Sequence, residues 1–144
     1  MSLVGQSVDL DVRSLGRRTR LGLEVLLTYV RVRWVMRNED ASCAVRALRT
    51  CALGSPIGHE ERRELVVARR LARIVSRVLR LLPSDSRCLF RSLTLMCMLE
   101  RRGISQSLVI AVRPDPFAAH AWIEVAGEAM LPDAGRFYER LVEL

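Results

Sequence analysis

Three residues in the C-terminal half of the chain, Cys88, His120 and Asp133, carry side chains that together could form an activated nucleophile. A thiol becomes a strong nucleophile when a base removes its proton, and an imidazole that acts as this base needs a partner to hold its orientation. Cysteine, histidine and aspartate can fill these three roles. The sequence therefore predicts a Cys-His-Asp triad, provided that the neighbouring elements bring the three side chains together.

Cys88 falls in the first turn of a helix that we predict from Arg87 to about Arg102. Ser86 is a suitable N-cap, and Gly103 is typical of the residue that follows a helix. At the second helical position a thiol lies close to unpaired backbone N–H groups and to the positive end of the helix dipole, which favour a thiolate and could hold an oxyanion. Because Cys97 lies nine positions further on, we expect it on the opposite face of the helix.

His120 and Asp133 belong to the two arms of a predicted β-hairpin, with strands at 119–125 and 128–132. If the alanine-glycine pair at 126–127 forms a two-residue turn, His120 lies directly opposite Asp133, at about 4.5–5.5 Å between Cβ atoms. A four-residue loop keeps this pairing. A turn shifted by one residue would leave the pair diagonal but still within reach.

The remaining pattern predicts an α+β fold, with helices first and an antiparallel sheet last. Residues 1–12 show no clear period and are expected to form a loose arm or a short strand. Helices are predicted at 13–37, from about 40 to 53, and at 60–82, with a turn at 54–58. The other predicted elements are a strand at 107–113, a loop at 114–117 and a closing strand or short helix at 136–144. We expect a helical region over 1–82 and a catalytic core over 83–144, forming one compact unit.

Composition excludes several classes of protein. Half of the 144 residues are hydrophobic, so most of the chain is expected to fold. No apolar stretch is long enough to span a membrane, and the first residues do not resemble a signal peptide, which indicates the cytoplasm. Four cysteines in such a chain favour free thiols over disulfides. With two histidines and no CxxC motif the spacing of a zinc site is absent, so we expect neither metal nor cofactor.

Each candidate residue also has a structural interpretation. A cysteine in a buried helix is usually a small hydrophobic residue, which is how we interpret Cys43, Cys51 and Cys97. For Cys88 taken alone, the structural and catalytic interpretations have equal weight. The other histidine, His59, is interpreted as a solvated loop residue.

Four segments of the C-terminal half carry a family resemblance: CLFRSL at 88–93, LERRGI at 99–104, LVIAV at 108–112 and AHAWIE at 119–124. Together they resemble the lasso-peptide B proteins, and more narrowly their stand-alone leader-peptidase half, which has a papain-like, transglutaminase-like cysteine protease fold. The resemblance covers residues 83–144 and implies a central helix packed on a small antiparallel sheet. Ala111 stands where a glycine is expected, a change that could tighten packing near the site.

The resemblance implies a cysteine endopeptidase that removes the leader from a ribosomally made lasso-peptide precursor. Cys88 would attack the scissile carbonyl after losing its proton to His120, Asp133 would hold the imidazole, and the N–H of Cys88 would help to stabilise the oxyanion. Trp122 would either wall the cleft or belong to the core. The implied partners are the precursor with its leader, a separate leader-binding protein and, as a further candidate, the lasso cyclase.

Two alternatives remain open at this point. The same triad could catalyse transglutaminase-type acyl transfer, since an amine can resolve the acyl-enzyme in place of water. The net charge of +7, with all 23 basic residues arginine, also fits a binding module for nucleic acid or another acidic partner. Few aromatic residues accompany the arginines, which argues against nucleic acid. The apolar stripes at 21–34 and 65–82 are expected to pack on each other, with docking surfaces as the alternative.

Overall fold

A computed structural model describes residues 4–38, 61–82, 87–130 and 139–143 of the chain. Within these ranges there are three helices, α1 (Val4–Asn38), α2 (Glu61–Leu79) and α3 (Arg87–Glu100). Four strands follow, β1 (Ser107–Arg113), β2 (Ala118–Val125), β3 (Glu128–Ala129) and β4 (Glu139–Glu143). The predicted helix at 40–53, the turn at 54–58, His59, Ser86 and Asp133 lie outside the described residues.

The predicted α+β class is confirmed. The four strands form one antiparallel sheet in the order β3-β2-β1-β4. β1 pairs with β2 along its whole length, from Ser107 opposite Glu124 to Arg113 opposite Ala118. The closing segment is a strand, and it pairs with the other side of β1 after a register shift between Ile110 and Ala111. β1 is therefore a central strand.

The start of α1 corrects one expectation. A loose arm or short strand was expected over residues 1–12, but the helix already begins at Val4 and continues without a break to Asn38. No proline interrupts this stretch, so the backbone can keep its helical hydrogen bonds. The hydrophobic periodicity did not predict this part of the helix, because a helix without a single apolar stripe gives no 3.6-residue signal.

The C-terminal end of α3 follows helix-capping rules, and α2 ends in tight turns. Gly103 has a φ of 69° and donates its N–H to the carbonyl of Glu100, while Ile104 donates to the carbonyl of Leu99. These two bonds define a Schellman motif, so the predicted stop at Gly103 is confirmed. α2 ends at Leu79, three residues before the predicted end, and the chain continues in tight turns to Leu82.

The main hydrophobic core lies between the three helices and one face of the sheet. α3 is its centre, since every residue from Ser92 to Glu100 is buried, as its apolar pattern predicted. The largest fully buried side chains of the cluster include Val25, Val32, Val75, Leu93, Met96, Leu99, Leu108, Ile123 and Val125. Burial of each such side chain contributes about 1.5–3 kcal/mol. The core draws on both sides of the predicted boundary at 82/83, and that boundary stays a prediction.

α1 packs across α3 and fixes its position at both ends. Near the start of α3 the rings of Tyr29 and Phe90 meet edge to face, with centroids 6.0 Å apart. Beyond its end, the guanidinium of Arg102 donates two hydrogen bonds, of 3.0 and 2.9 Å, to the carboxylate of Glu24. Such a paired geometry fixes orientation as well as distance. The N-terminal helices therefore position the helix that carries Cys88.

The predicted packing of the apolar stripes is correct for only part of each. Val25, Tyr29 and Val32 of α1 are buried, and so are Leu71, Val75 and Leu79 of α2. A second row on α1 remains 57–66% exposed, at Leu23, Leu27, Val30 and Trp34. Despite this apolar surface, none of the helices in the described ranges is long and apolar enough to cross a membrane.

Candidate active site

The two cysteines of α3 differ in exposure, as the helix geometry predicted. α3 begins at Arg87, so Cys88 is its second residue, and its side chain is half-buried. Cys97 is 8% exposed and belongs to the main core. Both are thiols rather than halves of a disulfide. Of the two cysteines of α3, only Cys88 is therefore accessible to a substrate.

Ser92 attaches the first half of α3 to the sheet. It lies four residues after Cys88, and so on the same side of the helix. Ser92 is fully buried, and its hydroxyl donates a 2.9 Å hydrogen bond to the carbonyl of Ala121 in β2. A serine one turn after the cysteine was visible in the sequence, but nothing there identified its acceptor.

The accepting carbonyl lies on the outer side of β2. Met130 donates a 2.8 Å hydrogen bond to the carbonyl of Ile123 from the β3 side. Carbonyls two residues apart in a strand point the same way, so the Ala121 carbonyl also points away from β1. The Ser92 hydroxyl donates to this carbonyl from that side of β2. The first turns of α3 therefore lie beside this edge of β2.

α3 and β2 run in the same direction. Residues 101–106 connect the end of α3 to the start of β1, and Gln106 donates to the carboxylate of Glu100 at 3.2 Å. The start of β1 is thus next to the end of α3. Because β1 is antiparallel to β2, the first residues of β2 lie toward the first residues of α3.

This direction places Cys88 and His120 toward the same end of α3 and β2. One helical turn back from Ser92 is about 6 Å, and two residues back from Ala121 along β2 is about 6.6 Å. Cys88 therefore lies at the level of Ala119 and His120. The predicted nucleophile and the predicted base therefore share one end of the helix-strand pair, and the side chain of His120 lies on the sheet face away from the main core.

The imidazole of His120 is held by its neighbours on β2. Residues 120, 122 and 124 share one face of the sheet because side chains alternate along a strand. The ring of Trp122 stacks on that of His120, with centroids 5.9 Å apart and planes 28° from parallel. The indole N–H of Trp122 donates a 2.9 Å hydrogen bond to the carboxylate of Glu124. His120 is half-buried, and its Nε2 atom is buried.

Trp122 resolves the choice between a cleft wall and a core residue. It is 4% exposed and forms a small second cluster with Val109 and Ala111 on the sheet face away from the main core. Trp122 is thus a core residue that also contacts His120. Because side chains alternate along a strand, the sequence could have indicated that Trp122 contacts His120 and that Glu124 accepts a hydrogen bond from Trp122.

Ala111, which replaces an expected glycine, lies directly across from His120 on β1. Paired residues in an antiparallel sheet have Cβ atoms about 4.5–5.5 Å apart. Ala111 is fully buried, so its methyl group fills space beside the imidazole that a glycine would leave open.

The predicted hairpin turn is confirmed. Val125 pairs with Glu128, and Glu124 pairs with Ala129. Ala126 and Gly127 have φ angles of 50° and 75°, and two positive values in succession are typical of a type I′ turn. Continued outward, this register leads to the predicted pairing of His120 with residue 133. Asp133 is outside the described residues, so its role stays a prediction.

Loss of the Ser92 hydroxyl is expected to destabilise the fold. Ser92→Ala leaves the Ala121 carbonyl without this buried donor, which costs about 1–3 kcal/mol of unfolding free energy. Thr94→Val is the matched control, because the Thr94 hydroxyl donates to the Phe90 carbonyl within the same helix and that carbonyl keeps its helical N–H donor. Urea denaturation measures both variants. An equal loss in the two would contradict a special role for the Ser92 bond.

Comparison with known proteins agrees with this geometry. The sequence model of the transglutaminase-like superfamily matches residues 25–142, and the chain belongs to that superfamily. A stretch of 56 residues is 41% identical to the microcin J25-processing protein McjB of Escherichia coli. This stretch makes up 39% of the present chain and 26%, about a quarter, of McjB. No solved structure matches the chain significantly. Both matches support the resemblance indicated by the sequence motifs.

Proposed function

We propose that this protein is a cysteine endopeptidase that removes the leader peptide from a lasso-peptide precursor. The observation that carries the proposal is the position of Cys88, which is half-buried at the start of α3, the helix that the Ser92–Ala121 hydrogen bond joins to the strand of His120. Membership of the transglutaminase-like superfamily supports the type of chemistry. The partial identity to a microcin-processing protein supports the type of substrate.

The proposed reaction has two stages. His120 takes the proton of the Cys88 thiol, and the sulfur attacks the scissile carbonyl to form a C–S bond. The backbone N–H of Cys88, which lies in the first turn and so has no acceptor within α3, stabilises the oxyanion. The C–N bond then breaks, and the released amine takes the proton from His120.

The second stage hydrolyses the acyl-enzyme. His120 removes a proton from a water molecule, which attacks the thioester carbonyl; the C–S bond then breaks, and His120 returns the proton to the sulfur. Asp133 holds the imidazole in the orientation that both stages need. The proposal assigns no metal or cofactor to these steps.

The proposed setting follows from the substrate. A ribosomally made precursor is available in the cytoplasm, where we place the reaction. A separate protein would bind the leader and present the precursor, and the lasso cyclase would then use the freed N-terminus. Acyl transfer to an amine is the second candidate reaction, and the match to the transglutaminase-like superfamily favours it. It differs from hydrolysis only in the nucleophile that attacks the thioester.

Product masses test the proposal and separate the two reactions. The protein is incubated with the precursor, the leader-binding partner and an added primary amine, and the products are followed by mass spectrometry. Hydrolysis predicts two fragments whose masses together equal the precursor plus one water. A fragment that carries the amine would show acyl transfer instead. An intact precursor after prolonged incubation would contradict both reactions.

A further inference from the structure

A groove of about 580 Å³ runs between α1 and α2, on surface that the proposed reaction does not use. Four arginines line it, Arg18 from α1 and Arg70, Arg73 and Arg77 from α2. Apolar side chains lie among them, including Val66, which is 61% exposed, and Ile74. The groove thus presents both positive charge and apolar surface to a ligand.

The described residues that line the groove include four arginines and no carboxylate. None of them takes part in an ion pair within the described residues, and no acidic side chain is among the described residues that line the groove. By contrast, the neighbouring Arg69 forms an ion pair with Glu128. Several like charges in one concave surface repel each other and raise the local concentration of anions. An acidic ligand would relieve this repulsion.

The mixed surface favours a peptide over a nucleic acid. Binding of single-stranded nucleic acid uses aromatic side chains on which bases stack, and no aromatic residue is among those that line the groove in the described part of the chain. An amphipathic peptide places apolar residues on one side, at positions i, i+3, i+4 and i+7. With acidic residues beside that apolar side, such a peptide matches both Val66 and the arginines.

The groove is distant from Cys88, but the helices that form it pack against α3, the helix that carries Cys88. Arg70 also lines an adjoining depression together with Arg102, which lies just beyond the C-terminal end of α3. Cys88 is at the other end of α3, about 20 Å away along a helix of this length. About six extended residues of a peptide span that distance. One chain can therefore occupy the groove and still reach the thiol.

We propose that this groove binds an acidic amphipathic segment of the precursor peptide, remote from the bond that Cys88 cuts. The inference rests on the proposed function for the identity of the peptide. The proposed reaction already requires a long peptide on this protein, whereas a further partner would be an additional component. Contacts away from the scissile bond give selectivity without changing the chemistry at the thiol.

Binding is measured by fluorescence anisotropy with the Cys88→Ala variant, which leaves every peptide intact. The probe is a labelled synthetic peptide of about 14 residues, with leucines at helical spacing and glutamates between them. We expect the probe to bind and to bind more weakly at higher salt. Arg70→Glu combined with Arg77→Glu should weaken binding at least about tenfold.

The control has the same change of net charge on α1, outside the groove. Arg31 and Arg37 are exposed and in no ion pair of the described residues, so Arg31→Glu combined with Arg37→Glu should weaken binding less than about twofold. All four positions are exposed, and circular dichroism checks that each variant is folded. Equal loss in the two double variants would overturn the proposal, because it would reflect net charge alone.

Competition identifies the source of the acidic segment. Unlabelled precursor should displace the probe from the parent protein, and failure to displace it would overturn the assignment to the precursor. Absence of probe binding would overturn the assignment of the groove as a peptide-binding site. Tighter binding of a single-stranded oligonucleotide than of the probe would overturn it as well. These readouts need no catalysis. A protein that binds the probe and the precursor but cuts nothing would contradict the proposed function alone.

Discussion

Replacement of Cys88 by alanine is expected to reduce precursor cleavage at least about a thousandfold. The thiol forms the covalent bond to the substrate, and removal of a nucleophile from such a site leaves only the contribution of binding and oxyanion stabilisation. Cys88 is half-buried at the edge of the fold, so the loss of one sulfur atom should not prevent folding. Initial rates of product formation, measured by mass spectrometry, give the ratio of the parent activity to that of the variant.

Cys97→Ala is the matched control in the same helix. Cys97 is 8% exposed within the main core, on the side of α3 away from the thiol of Cys88. Its replacement should change the cleavage rate less than about threefold, while a modest loss of unfolding free energy reflects the removed volume. Retention of full activity by Cys88→Ala, or a comparable loss in the two variants, would contradict the assignment of the nucleophile.

Replacement of His120 by alanine is the second substitution with a very large expected effect. Without the imidazole no base takes the proton of the thiol, and no acid returns it to the leaving amine, so cleavage should fall at least about a hundredfold. His120 contacts Trp122, and the variant also loses this stacking. His120→Gln keeps more of the side-chain volume while it removes the base, and it should be as inactive as His120→Ala.

The chain offers a natural control for this prediction. His59 is the other histidine, and the sequence indicates a solvated loop residue. His59→Ala should change cleavage less than about twofold. If either His120 variant kept more than a tenth of the parent rate with a normal unfolding transition, the imidazole could not be the base of the reaction.

The parts of the fold that could be predicted are those set by local chemistry. The Ala126-Gly127 turn fixed the register of the hairpin because a two-residue turn leaves no freedom in the pairing that follows it. Gly103 marked the end of α3 because its positive φ is easily adopted only by glycine. The position of Cys88 as the second residue of α3 followed from the same local reasoning.

The parts that could not be predicted depend on contacts between distant segments. Ser92 donates to a carbonyl 29 residues away, and only the packed structure defines that acceptor. β4 pairs with β1 rather than with β3, the strand before it in the sequence. This pairing joins segments that are about 30 residues apart, and local sequence patterns do not define it. On α1 apolar residues lie on more than one side, so periodicity could not say that Val25 would be buried and Leu27 exposed.

The family resemblance contributed what neither local chemistry nor packing supplies. The motifs around Cys88 and His120 indicated a type of protein, and the superfamily match over residues 25–142 agrees with it. That match extends well beyond the motifs into α1 and α2. This is consistent with a core in which Val25 and Val75 pack with the helix that carries the thiol.

Selective alkylation is the most direct measurement of cooperation between Cys88 and His120. The folded protein is treated with iodoacetamide at neutral pH, and peptide mapping follows each cysteine in the parent protein and in His120→Ala. Since the base makes the thiol nucleophilic, Cys88 should react at least about tenfold more slowly without the imidazole, and Cys97 should remain unmodified in both proteins. Equal rates at Cys88 with and without His120 would show that the two residues do not act together.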